Sequence, residues 1–456
     1  MSSFGVNPVI PRAPASVEDT GLPFLFLVEL VAKVLLTRGQ LRLPELARHL
    51  SLPVSCIDPL IVFMRAEKLC EANRRGGSGT DADLNYNLTE GGRAQASEFI
   101  RRNAYAGAAP VTLAAYCAQV LAQSVAQQQT TRAHIAQAYA GVVVAERVLE
   151  QLGAAMNSGR AIFVYGPAGS GKSFLAERLH GLLQGSILVP HAIMVDGEVL
   201  PFYDALVHRR VDDDGAADQR YAMRDGRWLR IARAAVLCGG ELTLDMLDLQ
   251  FDTGSRRYHV PTHLKANNGI FIIDDLGRQR CSAVELLNRW IVPMDRREDY
   301  LTLHTGYKLA VPFDMTIVFS SNFAPDQLAD GAFLRRLGYK IHVGPLSAAQ
   351  YETVFRAVCA HYGIAFCASA FAYLLRERHA AEARPLLACY PRDLLGQVRD
   401  LARYQEQEPR LSEAVLDWAW TNYFTAPAAA TAPAPPPRAS ALFYERRNGA
   451  VTEERP

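Results

Sequence analysis

The chain has 456 residues, enough for two or three domains that each bury a core. Hydrophobic residues make up 49% and charged residues 21%, an ordinary globular mixture, and the formal net charge is +1. Near-neutrality excludes a global field drawing the molecule onto nucleic acid or an anionic membrane, so any such contact must be local. The 8 cysteines are scattered without a Cys-x-x-Cys pair, which points to reduced thiols and a cytoplasmic location.

Residues 1–21 are rich in Pro and small residues and read as a flexible leader without a secretory signal. Leu22–Leu36 is apolar but short for a bilayer, and it carries Glu29 and Lys33 at i, i+4 spacing, so it reads as a core helix and no membrane insertion is expected. Periodicity then gives helices over Leu22–Arg38, Leu43–Leu50 and Val54–Leu69, with the tight break Ser51-Leu52-Pro53 between the last two. Glu71–Arg75 and Leu84–Leu88, around the tip Gly76-Gly77-Ser78-Gly79, read as a hairpin. Residues 22–104 therefore resemble a winged-helix domain, a likeness strengthened by Leu88-Thr89-Glu90-Gly91-Gly92 before a last helix.

Such a domain suggests DNA, but 11 Lys and Arg stand against 9 Asp and Glu between Leu22 and Arg102. The would-be recognition helix presents Ile57, Leu60, Ile61, Phe63 and Met64 with only Arg65 and Lys68 near its end, and Ser55 and Asp58 are thin provision at the N-terminal turn where base readers need Arg, Asn, Gln or Ser. Arg74 and Arg75 remain available for phosphates, and a protein client is expected ahead of DNA.

Residues 105–140 read as a helical connector, and 141–346 as an α/β nucleotide-binding domain. Its strand candidates are Ala161–Tyr165, Ile187–Val195, Ile270–Asp274, Met315–Ser320 and Lys340–Val343, alternating with helical segments as in a parallel sheet with helices on both faces. After the first strand comes Gly166-Pro167-Ala168-Gly169-Ser170-Gly171-Lys172-Ser173, followed by a helical run opening at Phe174. This is a phosphate-binding P-loop: glycines let backbone N–H groups converge on an anion, Lys172 reaches the β- and γ-phosphates, and Ser173 helps to hold Mg²⁺. Ile270–Ile273 ends in Asp274 and Asp275, the first a candidate Mg²⁺ partner and the second a candidate to orient or deprotonate the attacking water.

Three further pieces follow in order: Ile317–Asn322, a strand ending in an amide; Phe333-Leu334-Arg335-Arg336-Leu337; and Tyr390-Pro391-Arg392-Asp393-Leu394. With these the chain resembles the AAA+ ATPases over about residues 141–424, with 347–424 as a helical lid. The resemblance implies an ATP- and Mg²⁺-dependent enzyme working as a homo-oligomeric ring, a hexamer, that remodels a protein partner in a chaperone-like way. It implies that Asn322 is the sensor-1 amide, Arg392 the sensor-2 arginine, and Arg336, or else Arg335, the finger supplied to a neighbouring subunit. Asp at 275 stands where the family usually has Glu, one methylene longer, which keeps open a nucleotide switch with little hydrolysis. A DNA-associated ATPase is the other alternative.

Between the second and third strand candidates, Phe202 and Tyr203 suit either a substrate-gripping loop or ordinary buried packing, with packing favoured. His259 and His263 lack the Glu of a zinc-protease arrangement and read as loop histidines. Leu301–Leu303 and Lys308–Val311 form a hairpin candidate. The Ala- and Pro-rich tail, 425–456, cannot bury a core and is expected to be disordered.

Overall fold

A computed structural model describes residues 10–73, 84–211, 224–328 and 331–424. The expectations for Arg74, Arg75, the tip 76–79 and the tail 425–456 lie outside the described residues. The chain divides into two compact units, Met1–Val354 with Pro385–Tyr390, and Phe355–Arg384 with Pro391–Pro456.

The first unit begins with α1 (Phe24–Arg38), β1 (Leu41–Arg42), α2 (Leu43–Leu50), α3 (Val54–Ala66), β2 (Cys70–Asn73), β3 (Asn85–Leu88) and α4 (Glu90–Arg102). The three strands pair antiparallel in the order β1-β3-β2, with Cys70 opposite Leu88. Leu30, Leu46, Leu50, Leu60 and Met64 are fully buried between the helices, and Thr89 caps α4 by accepting from the Gly92 amide at 3.0 Å. Gly92 has no room for a side chain: an added Cβ would lie 1.9 Å from the Leu69 carbonyl oxygen, where α4 crosses the end of the strands. No single helix among the described residues is long and apolar enough to cross a membrane.

The chain then runs through β4 (Val111–Thr112), α5 (Leu113–Ala122), α6 (Arg132–Ala138) and α7 (Glu146–Ser158) into β5 (Ala161–Tyr165) and α8 (Lys172–Arg178). There follow β6 (Ser186–Pro190), β7 (Ala192–Val195), β8 (Glu198–Pro201), β9 (Trp228–Ala232), β10 (Ala235–Cys238), β11 (Gln250–Asp252), β12 (Arg257–His259) and β13 (Ile270–Ile273). After α9 (Ala283–Arg296), the expected hairpin is present as β14 (Glu298–Thr302) and β15 (Lys308–Pro312), and β16 (Thr316–Ser321) and β17 (Leu337–His342) complete the sheet.

Five strands form a wholly parallel sheet in the order β10-β13-β16-β5-β17. Alternate residues serve opposite faces, as strand pleating demands. Ile162, Val164, Ile270, Ile272 and Val318 pack with α7 and α8 on one face. Phe163, Phe271, Ile273 and Phe319 pack with Leu286, Leu287 and Trp290 of α9 on the other. This is a mixed α/β fold with helices on both faces of its sheet.

The second strand of that sheet is not Ile187–Val195, as the apolar run suggests, but Ala235–Cys238. Residues 187–195 break at Pro190 and His191 into β6, which pairs antiparallel with β9, and β7, which pairs with β4 and β8. These small sheets, with the β14–β15 hairpin, enclose a separate apolar core that includes Ile187, Ile193, Leu200, Phe202, Trp228 and Leu309. Phe202 is buried there against Tyr116, ring centroids 5.0 Å apart, and stacks on His208, so the packing role holds for it. A buried polar cluster joins the connector to this region: Gln123 donates to Asn268 at 2.9 Å, Ser124 to Asp314 at 2.7 Å, and Arg233 to the carbonyls of Gln123 and Asn268 at 3.1 and 2.7 Å.

In the second unit, the helices continue through a π-helical stretch, Leu374–Ala380, to α-helices at Tyr390–Tyr404 and Glu413–Tyr423. Leu394, Leu395, Val398, Leu416 and Trp420 are buried.

Candidate functional site

β5 lies between β16 and β17, so the chain leaves it for strands on one side and returns on the other. In open α/β sheets such a switch opens a crevice beyond the strands' C-terminal ends. The glycine-rich loop occupies that place, and its three glycines are there for steric reasons. Gly166 has φ +151° and Gly171 +95°. A Cβ on Gly166 would stand 2.1 Å from the Val343 carbonyl oxygen, and one on Gly169 2.4 Å from Cys389 Sγ. Only glycine lets the backbone make this turn.

Strand order also explains which side chains meet. Because β16 separates β5 from β13, the residue after β16 falls between the lysine after β5 and the carboxylates after β13. Asn322 bridges them, accepting from Lys172 Nζ through Oδ1 at 2.8 Å and donating from Nδ2 to Asp275 Oδ1 at 2.8 Å. Lys172 Nζ also donates to the Pro167 carbonyl at 2.9 Å, and Ser173 Oγ donates to Asp274 Oδ1 at 2.8 Å. Lys172, Ser173, Asp274, Asp275 and Asn322, chosen from sequence, are thus one connected group. Lys172 is 5% exposed, and burial holds its ammonium below the usual lysine range against the opposing pull of Asp275 and Asp274.

Asp275 adopts φ +50°, a left-handed conformation that Asp tolerates better than most residues. Gln279, which sequence reasoning missed, holds this turn: its Nε2 donates to the carbonyls of Asp274 at 2.9 Å and Asp275 at 3.3 Å, while its Oε1 accepts from the Gly277 amide at 2.8 Å. Also missed is Cys389, whose amide donates to the Gly169 carbonyl at 3.1 Å and whose thiol fills the space beside that glycine. No local signal marks either residue, because each acts through contacts set by the fold.

The cradle suits a phosphate chain on the strength of one orphaned atom. Ser170 is 5% exposed, and its hydroxyl is buried without a hydrogen-bond partner among the described residues, inside a loop whose glycines leave room for an anion. The hydroxyl and carboxylate oxygens of Ser173 and Asp274 are the hard donors that Mg²⁺ prefers. Among the described residues no group of three His, Cys, Asp or Glu could hold a metal by itself. His263 is fully buried and hydrogen-bonded to Asp299 at 2.8 Å, while His259 stays exposed on β12.

The remaining expected site residues stand apart from this group. Phe174 is 48% exposed, with the Arg178 guanidinium 4.7 Å from its ring centre. Arg336 is bound to Asp295, its Nε 2.9 Å from both carboxylate oxygens and Nη2 2.7 Å from one, and Arg335 is exposed beside it. Arg392 belongs to the second unit, where it pairs with Asp393 at 3.2 Å.

Comparison with known proteins gives partial likenesses. A family model described as a domain of unknown function, DUF8689, matches residues 347–422. None of the curated proteins matches. Among solved structures, NtrX from Brucella abortus is 16% identical over 64% of this chain and 58% of its own, with a TM-score of 0.39. NtrX solved in complex with ADP is likewise 16% identical, over 63% of this chain and 59% of its own, at 0.36. The RuvB Holliday junction branch migration motor of Thermotoga maritima is 12% identical over 62% of this chain and 70% of its own, at 0.35. This chain therefore spans under two thirds of NtrX.

Proposed function

We propose that the protein is an AAA+ ATPase that assembles as a homo-oligomeric ring, a hexamer by its sequence resemblance, and couples Mg-ATP hydrolysis to remodelling of a protein partner. The observation that carries this reading is the bonded group Lys172–Asn322–Asp275 and Ser173–Asp274 around a glycine cradle with an unpartnered serine hydroxyl. In this reading the backbone amides of Gly166–Ser173 and the Lys172 ammonium bind the phosphates, and Ser170 adds a donor. Ser173 and Asp274 would hold Mg²⁺, which supplies charge neutralisation on the transferring phosphoryl when bound. Asp275 accepts a proton from the attacking water, and Asn322, already bonded to it, orients that carboxylate. Its short side chain and fixed hydrogen bond favour slow turnover. Arg336, or Arg335, would be donated to the site of a neighbouring copy, and Arg392 would report the nucleotide state from the helical lid, 347–424.

The order α1-β1-α2-α3-β2-β3 supports reading residues 22–104 as a winged helix. The exposed face of α3 carries Val54, Ser55, Asp58, Pro59, Val62 and Arg65, which is poor in base-reading groups and suits a protein partner. All eight cysteines are without disulfides, in keeping with a reducing cytoplasm.

The test is nucleotide affinity. The purified chain should bind ATP and ADP in the presence of magnesium, and Lys172→Ala should weaken binding by about ten- to a hundredfold, the loss of charge-assisted hydrogen bonds to phosphate. A chain without affinity for adenine nucleotides in calorimetric titration overturns the reading.

A further inference from the structure

Where β5 begins at Ala161 and β16 at Thr316, at the end of the sheet opposite the glycine loop, lies a cavity of about 570 Å³. Its lining includes four guanidiniums, Arg160, Arg297, Arg335 and Arg336, and one carboxylate, Asp295. That carboxylate is bound at two points by Arg336. Arg335 adds to the positive field on it, and the pair holds the Asp295 carboxyl below the usual range, Arg336 through its hydrogen bonds most of all. Arg297 donates to the Gly159 carbonyl. Among the described residues neither Arg160 nor Arg335 pairs with a carboxylate. Three guanidiniums in excess around one concavity repel one another, and the arrangement is relieved by an anion.

The remainder of the lining says what sort of anion. Phe313, Met315 and Ile317 lie behind the rim and are almost fully buried, so what the cavity presents to a ligand is mainly its polar, cationic rim. Its volume lies in the range of small-molecule sites and far exceeds a bare phosphate. Guanidinium forks match the paired oxygens of a phosphate better than a point charge does. We propose that this cavity is a second anion site, separate from the glycine loop, that binds a small phosphate monoester with its phosphate on the Arg160–Arg335 side.

Phenyl phosphate is the probe, titrated calorimetrically into full-length Lys172→Ala protein so that the glycine loop is disabled. Saturable binding at one site per chain supports the proposal. Adding Arg160→Ala should weaken it about tenfold or more, and Arg160→Lys should fall between, because it keeps the charge and loses the fork. Arg160 is exposed, so the melting temperature should not move. Absence of saturable binding, or equal affinity with and without the Arg160 guanidinium, overturns the proposal. If phenyl phosphate binds wild-type protein but not Lys172→Ala, the glycine loop alone was the receptor and the second site does not exist.

Discussion

The two ends of the parallel sheet hold charge in opposite ways. At the C-terminal end each charged group is hydrogen-bonded within the chain: Lys172 to Asn322, Asp275 to Asn322, Asp274 to Ser173. At the N-terminal end Arg336 takes the carboxylate of Asp295 and Arg297 donates to the Gly159 carbonyl, while among the described residues Arg160 and Arg335 pair with no carboxylate. A matched set is preorganised, since its members already stand where a ligand needs them and water has less to screen. An unmatched set is a demand for something outside the chain. In the proposed reading one end of the sheet acts on a bound ligand, and the other meets a ligand or a neighbouring copy.

The strongest way to break this contrast is to ask whether the far end serves the near end of another copy. If Arg336 is the finger, Arg336→Ala should lower turnover by about 10³- to 10⁵-fold while leaving nucleotide affinity intact. The pair with Asp295 must then open on assembly, because a guanidinium held at two points cannot also reach a phosphate. Mixing Arg336→Ala with Lys172→Ala protein gives the sharper readout. Each lacks a different half, so mixed assemblies should regain part of the activity that neither has alone. Normal turnover in Arg336→Ala transfers the assignment to Arg335, and normal turnover in both single variants ends the idea that this end takes part in catalysis.

At the near end, Asp275→Asn should lower turnover by about 10²- to 10⁴-fold, the usual contribution of a positioned proton acceptor, with ATP still bound. Phosphate release at high protein concentration measures it, and ADP titration checks that the site is intact. The amide keeps the oxygen that accepts from Asn322, so the loss would isolate the proton-accepting role from the positioning one. Unchanged phosphate release removes Asp275 from the chemistry and leaves the bonded group as a binding site alone. Asp275→Glu sharpens the same point, since a rise in rate would mean that the shorter side chain limits turnover.

How much of this was legible differs between the two ends for a physical reason. The glycine loop, Lys172, Ser173 and the Asp274–Asp275 pair sit in short contiguous stretches, and each stretch carries its own steric and electrostatic logic. Asn322 was legible because it ends an apolar strand with a polar amide. The second sheet strand was not: Ile187–Val195 is a longer apolar run than Ala235–Cys238, whose Leu237 is 49% exposed at the sheet edge. Apolarity says that a segment is buried, but which sheet it joins depends on pairing with residues far along the chain. Gln279 and Cys389 escaped for the same reason, since a glutamine donating to a turn and a thiol filling the space beside a glycine leave no pattern. The arginine cavity draws Arg160, Arg297 and Arg335 from three separate segments, so only the fold assembles it.

The smallest effect separates the two ends by their titration. Burial holds the Lys172 ammonium below the ordinary lysine range in the free protein, whereas guanidiniums stay charged across the accessible pH range. A base with a lowered pKa is protonated below that pKa and loses its charge as pH rises through it. ADP affinity should therefore be flat near neutrality and decline at alkaline pH, beginning below the ordinary lysine value of about 10.4. Phenyl phosphate at the arginine cavity, already a dianion above neutrality, should keep its affinity over the same interval. Parallel calorimetric titrations from pH 7 upward measure both. If the two curves fall together, Lys172 is not what sets the alkaline limit, and the difference between a lysine-based and an arginine-based anion site disappears.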